Sequence, residues 1–127
     1  MKSIVLCGSR KFKKEIRELA TKLRKNDVTV YEPFLNEKSM DSLPQDFKRY
    51  AVTGLTLHHF ELIRKADIAY FYNKGGYLGV SGSMELGAAS VLNKPIIALE
   101  EDKTESCRNC LFDEVVSTIS ELLIRLK

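Results

Sequence analysis

One carboxylate in the sequence stands apart from the others by its position. Glu85 shares a helical stripe with the apolar residues that follow it, Ala88, Ala89 and Leu92. We expect Glu85 in the first turn of that helix, where the helix dipole keeps its carboxylate ionised at neutral pH. Such a group suits attack on, or stabilisation of, a developing oxocarbenium carbon. The alternative is a capping box, with Gly82 as the N-cap and Glu85 at the third helical position.

A second candidate for chemistry follows the first apolar run of the chain. Gly8 permits a tight turn, Ser9 offers a hydroxyl, and Arg10 offers a bidentate donor for phosphate or carboxylate. The amides at the start of the next helix also favour an anion. The segment therefore predicts an anion site, and the alternative is an ordinary turn with a serine cap and a solvated arginine.

The third candidate is the segment 73–83, which leads into the helix of Glu85. It contains four glycines and two serines, which would let the backbone pass close to a ligand. It lacks the Gly-Lys-Ser/Thr ending of a P-loop, and it does not follow the first strand as a dinucleotide-binding glycine motif does. The alternative is a flexible surface turn with a serine cap.

Strands and helices alternate along the chain. The predicted strands are continuous apolar runs, and they cover residues 3–7, 28–31, 68–72 and 96–99, with a weaker fifth within 111–116. Apolar residues at helical spacing fall in 16–23, 55–66, 84–92 and 115–126. This order predicts one domain over 1–127, a flavodoxin-like or Rossmann-like three-layer α/β sandwich with four or five parallel strands. Ligands bind such sheets beyond the carboxyl ends of the strands.

Composition excludes several classes of protein. The chain has 127 residues and a net charge of +3, without the dense basic block of a nucleic-acid binder. We expect no polymer of nucleic acid and no membrane as a partner, because the longest apolar runs are of strand length. Three cysteines are a poor disulfide framework, and the first residues do not form a signal peptide, which together predict a cytoplasmic protein.

The cysteines and histidines do not predict a metal site. Cys107 and Cys110 form a C-x-x-C, but it lies after the fourth strand, unlike a thioredoxin pair. Zinc needs four ligands, and only Cys7, His58 and His59 remain, so a site shared across a dimer is the sole alternative. We expect no metal and no cofactor.

Several of these segments together resemble the nucleoside 2-deoxyribosyltransferase family. The residues that carry the likeness are Ala66 to Phe71, Leu78 to Val80, Glu85 to Ala89, Asn93 to Ile97 and the first strand with Gly8-Ser9-Arg10. The hydrolytic branch, the 2′-deoxynucleoside 5′-phosphate N-hydrolases, is the nearer likeness. The resemblance implies an N-glycosidase or transferase that acts on a nucleoside or nucleotide as a homodimer or larger assembly.

The resemblance also implies roles for individual residues. Glu85 would be the nucleophile at the anomeric carbon, and Gly8, Ser9 and Arg10 would hold the 5′-phosphate. The segment before the glutamate would supply further contacts, from residues that include Tyr77, Gly79, Ser81 and Ser83. Apart from the resemblance, Tyr72 reads as core and sheet-end packing, with a nucleobase pocket lined by Tyr72 and Tyr77 as the alternative. Where the family has an aspartate, this chain has His59, which either transfers protons or is packed in the core.

The sequence is also compatible with other functions. A non-catalytic nucleotide-binding or sensing module of the same fold is the main one, favoured by His59 and by the serine-rich sequence before Glu85. A phosphoribohydrolase and an electron-transfer flavodoxin fit less well, because their expected loop and acidic surface are missing. A domain of this size leaves few residues to cover a site, so the segment 32–45 or a second subunit would have to close it.

Overall fold

The protein is an α/β domain in which strands and helices alternate as the sequence predicts. The computed structural model describes residues 1–35 and 38–127. The strands are β1 (Ile4–Gly8), β2 (Val30–Tyr31), β3 (Ile68–Tyr72), β4 (Ile96–Ala98) and β5 (Glu114–Val115). The helices are α1 (Lys13–Arg24), α2 (Lys38–Asp41), α3 (Gln45–Lys65), α4 (Gly79–Val91), α5 (Ser106–Asn109) and α6 (Ile119–Leu126).

The five strands form one parallel sheet in the order β2-β1-β3-β4-β5. This is the flavodoxin-like order, and the predicted fold class is confirmed. The connections diverge from β1 and β3, which are neighbours with Gly8 opposite Tyr72 at their carboxyl ends. A crevice therefore opens beyond these two ends, at the point where a sheet of this order binds its ligands.

Each face of the sheet is covered by a layer of helices. In β1, Ile4 and Leu6 point into a core shared with α1 and α6, whereas Val5 and Cys7 point into a core shared with α3 and α4. All four side chains are fully buried. A strand buried on both faces reads as a continuous apolar run, which is why β1 and β3 are evident in the sequence.

Gly8 ends β1 at a place with no room for a side chain. A Cβ there would lie 2.9 Å from Ile16 Cδ1 and 3.1 Å from the backbone oxygen of Tyr72. The glycine thus lets α1 and β3 approach the end of β1 closely, a packing role in addition to the turn that the sequence predicts.

Two predicted boundaries are wrong. Helix α4 begins at Gly79, so the second half of the predicted glycine-serine loop is helical. The segment 32–45, interpreted as an irregular loop, contains α2, and its residues Leu35 and Met40 are buried. Residues 36 and 37 of that segment lie outside the described residues. Within the described chain, no helix has the length and apolar character that crossing a bilayer requires.

Candidate active site

The predicted anion segment follows β1 and begins a short 3-10 turn. Ser9 caps that turn, formed by Arg10–Phe12, and its hydroxyl oxygen accepts a hydrogen bond from the backbone N–H of Lys11 at 3.2 Å. The structure thus contains the serine cap of the alternative interpretation. A capping hydroxyl still has its own proton to donate, so the cap and a bound anion are compatible.

Glu85 lies on the buried side of α4, against β1 and α3. Its carboxylate oxygen Oε1 is 3.7 Å from His59 Nε2, and its side chain is 14% exposed. His59 Nε2 is also 3.4 Å from the sulfur of Cys7, the residue before Gly8. Strand, helix and helix each contribute one side chain, and the three form the cluster Cys7–His59–Glu85.

Burial decides the protonation of this cluster. Desolvation raises the pKa of Glu85 to about 8, against the smaller opposing effect of a hydrogen bond from Cys7. Desolvation, with a smaller contribution from the neighbouring His58, lowers the pKa of His59 to about 4. The Cys7 thiol has a pKa well above its usual value, for the same reason of burial. At neutral pH the contact of His59 with Glu85 is therefore not an ion pair.

These observations correct two expectations for Glu85. It does not lie in the first turn of its helix, and it is not held ionised by the dipole, because α4 begins six residues earlier, at Gly79. The capping-box alternative is also wrong, because the N-cap is Leu78 rather than Gly82. The predicted apolar face is correct, and it is the burial on that face that raises the pKa.

His59 is buried, as the packed-histidine interpretation predicts, yet its contacts are not those of a satisfied core residue. Among the described residues, His59 Nδ1 and Glu85 Oε2 are buried and have no hydrogen-bond partner. Buried polar atoms without partners are uncommon in folded proteins. The pair therefore retains two places at which a ligand or water could bind.

An open cleft of about 720 Å³ lies beside the N-terminus of α4. Residues of the segment 75–84 form one part of its wall, and they include Tyr77, Gly79 and Ser83. Arg108, from the connection between β4 and β5, belongs to the other part. Gly79 has a φ of +77°, which favours glycine and lets the chain turn into the helix. Met84 lines the cleft whereas Glu85 faces the sheet, so the cleft and the carboxylate lie on different sides of α4.

Tyr77 connects this cleft with the loop after β1. Its exposed ring packs edge-on against Phe12, with ring centroids 6.3 Å apart, and Lys11 Nζ lies 4.8 Å from the centre of the same ring. Phe12 also packs edge-on against Tyr72. Of the two tyrosines predicted to line a nucleobase pocket, Tyr77 lines this cleft, whereas Tyr72 is not part of its lining and is linked to Tyr77 through Phe12.

The two serines of the segment differ in their surroundings. The Ser83 hydroxyl donates to the backbone oxygen of Gly79 at 2.7 Å and lies 3.4 Å from Arg108 Nη1, whereas Ser81 is exposed on the surface of α4. Arg108 Nε in turn donates to the buried carboxylate of Asp102 at 2.6 Å. The network fixes the side of the cleft that α5 provides.

Asp102 accepts the hydrogen bonds that hold together the connection between β4 and α5. Desolvation raises its pKa, but hydrogen bonds from Arg108, Thr104 and Glu105 more than offset that effect and bring the value to about 2. It therefore stays ionised at neutral pH and holds Arg108 at the cleft.

Sequence reasoning missed Cys7, Asp102 and Arg108 as residues of the site. Cys7 reads as one more apolar residue of β1, and His59 is 52 positions away from it. The only local signal for Asp102 is its spacing to Thr104 and Glu105, which is typical of a side chain that caps backbone amides.

The fold and the position of the cluster define a flavodoxin-like α/β protein with a buried carboxyl group at the switch point of its sheet. No family model matches the chain, and no curated protein sequence does. Solved structures do match it over most of their length.

A 2-deoxyribosyltransferase from Bacillus psychrosaccharolyticus superimposes with a TM-score of 0.68 at 17% identity, over 94% of this chain and 89% of that one. A CMP N-glycosidase from Clostridium botulinum gives 0.57 at 19% identity, over 98% and 97%. A conserved protein from Enterococcus faecalis gives 0.60 at 18%, over 99% and 97%. The chain thus shares the fold of the nucleoside 2-deoxyribosyltransferase-like proteins, as its sequence resemblance predicts.

Proposed function

We propose that the protein cleaves the N-glycosidic bond of a nucleoside or of its 5′-monophosphate, with Glu85 as the nucleophile. The observation that carries the proposal is the buried carboxyl group of Glu85, which interacts with Cys7, the β1 residue that precedes the loop of Gly8, Ser9 and Arg10. A sugar whose phosphate contacts that loop would have its anomeric carbon on the side of Glu85. The likeness of fold to a deoxyribosyltransferase and a CMP N-glycosidase supports the same class of reaction.

A pKa of about 8 would allow the Glu85 carboxyl group to lose and regain its proton during the reaction near neutral pH. The ionised form would attack the anomeric carbon and form a glycosyl ester, which water or a second base would then resolve. The leaving base needs a proton. His59 is neutral at neutral pH, and a neutral imidazole is too weak an acid to donate to the base, so that proton would come from solvent.

The test is to incubate the protein with a panel of nucleosides and their monophosphates and to measure the released free base by chromatography. We expect release by the wild-type protein and a fall of at least about 1,000-fold for Glu85→Gln, as for loss of a covalent nucleophile. Glu101→Gln, an exposed glutamate, is the matched control and should retain full activity. Equal rates for wild type and Glu85→Gln would contradict the assignment.

A second candidate is a nucleotide-binding module without turnover. The observation in its favour is that Glu85 is largely protonated at neutral pH, where a nucleophile has to be ionised. Calorimetry with the same panel distinguishes the two functions. Tight binding of a monophosphate without release of base at pH 7 or pH 9 would favour the module.

The proposed enzyme acts as a homodimer whose second copy covers the ends of α3 and α4. Both helices begin at the carboxyl end of the sheet, and their first two turns expose Phe47 at 65%, Tyr50 at 75% and Val80 at 80%. Met84 is also exposed, beside Glu85 in the chain. Exposed apolar residues concentrated in this way are typical of a contact between proteins.

A further inference from the structure

We infer that the cluster Cys7–His59–Glu85 binds a divalent transition-metal ion such as Zn²⁺, and that the metal-bound form of the protein is inactive. The sequence predicts no metal site, because the C-x-x-C lies after the fourth strand and few other cysteines or histidines remain as ligands. The fold brings a thiol, an imidazole and a carboxyl group together on one side of the sheet.

The distances within the cluster suit a metal. Cys7 Sγ is 3.4 Å from His59 Nε2, which is 3.7 Å from Glu85 Oε1. Since the third separation, from Cys7 Sγ to the Glu85 carboxylate, is at most 4.8 Å, these distances put the point equidistant from the three atoms at roughly 2.4 Å or less from each. Zinc bonds to nitrogen, oxygen and sulfur are about 2.0–2.3 Å long, so small side-chain movements would complete the coordination.

The donor set selects the class of ion. A thiolate with an imidazole and a carboxylate favours Zn²⁺ or Co²⁺ and disfavours Mg²⁺ and Ca²⁺, which require oxygen ligands. Three protein ligands leave one tetrahedral position for water. Cys7 is fully buried and His59 nearly so, whereas Glu85 is partly exposed, so the ion would enter from the side of Glu85.

The polar atoms of the cluster are incompletely satisfied without such an ion. Glu85 Oε2 and His59 Nδ1 are both buried, and neither has a hydrogen-bond partner among the described residues. A metal could take either carboxylate oxygen of Glu85 and would replace the weak thiol contact of His59 Nε2 by a coordinate bond. Binding displaces the Cys7 proton, and the Glu85 proton where present, into the buffer.

Inhibition follows if Glu85 is the nucleophile, and this part of the inference rests on the proposed function. A carboxylate bound to zinc in the cluster is not free to attack a sugar. Binding itself does not depend on the proposed function, so the two can fail separately.

The binding experiment uses Co²⁺ as a probe in the double variant Cys107→Ser/Cys110→Ser. Those two cysteines are exposed and would bind metal by themselves, and their removal leaves Cys7 as the only thiol. We expect thiolate-to-cobalt charge-transfer absorption and the intense visible bands of a tetrahedral site, both displaced by one equivalent of Zn²⁺. Absence of the charge-transfer band would overturn the inference.

Ligand variants in that background identify the site. Cys7→Ser should abolish the charge-transfer band, and His59→Gln and Glu85→Gln should each weaken Zn²⁺ binding by more than about 100-fold, beyond the effect of an outer-shell partner. His58→Gln, the exposed neighbouring histidine, is the matched control and should bind as the parent does. A band that persists in Cys7→Ser would contradict the assignment.

A measurement on the unaltered chain guards against variants that fail to fold. Zn²⁺ should slow the reaction of buried Cys7 with a thiol reagent at least about 10-fold, and a Zn²⁺-chelator should reverse the effect. Unchanged reactivity of Cys7 at saturating Zn²⁺ would overturn the inference. If base release is observed and Zn²⁺ binds without reducing it, the binding stands and the inhibition is wrong.

Discussion

At the scale of residues, Glu85 combines a charge-bearing group with an environment that opposes charge. The side chain is 14% exposed, and its contacts are an uncharged thiol and an uncharged imidazole. Burial without a cationic partner raises the pKa of a carboxyl group, and such values are typical of functional sites. The same burial should make the ionised carboxylate of Glu85 more reactive and the folded protein less stable when Glu85 is ionised.

The pH dependence of the reaction should report the ionisation of Glu85. If its ionised form attacks the sugar, kcat/KM of the metal-free enzyme should rise tenfold per pH unit at low pH and level off above an apparent pKa of about 8. The measurement is initial-rate kinetics from pH 5.5 to 9.5 with EDTA present. A kcat/KM that falls through the same pKa would instead make Glu85 a general acid.

Replacing Glu85 should stabilise the protein at high pH. A carboxyl group whose pKa is higher in the folded than in the unfolded state favours folding most below its unfolded pKa, and that contribution is lost as the pH rises to the folded value of about 8. Wild type should therefore lose stability relative to Glu85→Gln between pH 5 and pH 8, by on the order of 3 kcal/mol. Urea denaturation of both proteins at both pH values measures this, and a pH-independent difference would contradict the raised pKa.

At the scale of elements, the start of α4 places the site. The sequence Gly79-Val80-Ser81-Gly82 has the composition of a loop, yet the chain is helical from Gly79 onward. Gly82 packs against Leu78 so closely that a Cβ would lie 2.7 Å from Leu78 Cγ. Tertiary packing therefore overrides local propensity here, and this is why the sequence predicts the helix but not its first turn.

Two glycines of α4 should respond in opposite ways to alanine. Gly79→Ala puts a side chain at a φ of +77° and should destabilise the protein by about 1–2 kcal/mol. Gly87→Ala has open space for its Cβ within the helix and should stabilise it by about 0.5–1 kcal/mol. Thermal or urea denaturation compares the two, and equal effects would contradict the described start of α4.

The strands were predictable from their residues, whereas the cluster was not. Residues 68–72 form β3 with the predicted bounds, because a strand buried on both faces leaves a continuous apolar run. Glu85 and the loop of Gly8, Ser9 and Arg10 are proposed as site residues from their residue types and positions. Cys7 and His59 meet only through the packing of α3 on the sheet, and Arg108 reaches Ser83 only through the path of α5. Contacts of this kind have no local pattern in a single sequence.

At the scale of the whole molecule, the described α/β domain gives the candidate site little cover. The cleft beside α4 is open, and α2 lies in the segment 32–45 that the sequence suggests as a lid. A second copy on the exposed ends of α3 and α4 would close the same region. Because α3 and α4 carry His59 and Glu85, the exposed ends of these helices make the oligomeric state part of the proposed function.

Val80 and Val91 offer a matched test of that dimer. They are 80% and 82% exposed, at opposite ends of α4. Val80→Asp should shift the protein from dimer to monomer in sedimentation equilibrium and reduce base release, whereas Val91→Asp should do neither. A wild-type protein that is monomeric at assay concentration would contradict the proposed assembly.

The stereochemistry of the product tests the role of Glu85 most directly. A glutamate nucleophile requires two displacements at the anomeric carbon, so transfer of the sugar to methanol should give a glycoside that retains the β configuration of the substrate. Proton NMR of the methyl glycoside, collected before it can equilibrate, distinguishes the two anomers. The account predicts the β-methyl glycoside from wild type and almost none from Glu85→Gln. An α-methyl glycoside, formed by a single inverting displacement, would contradict it.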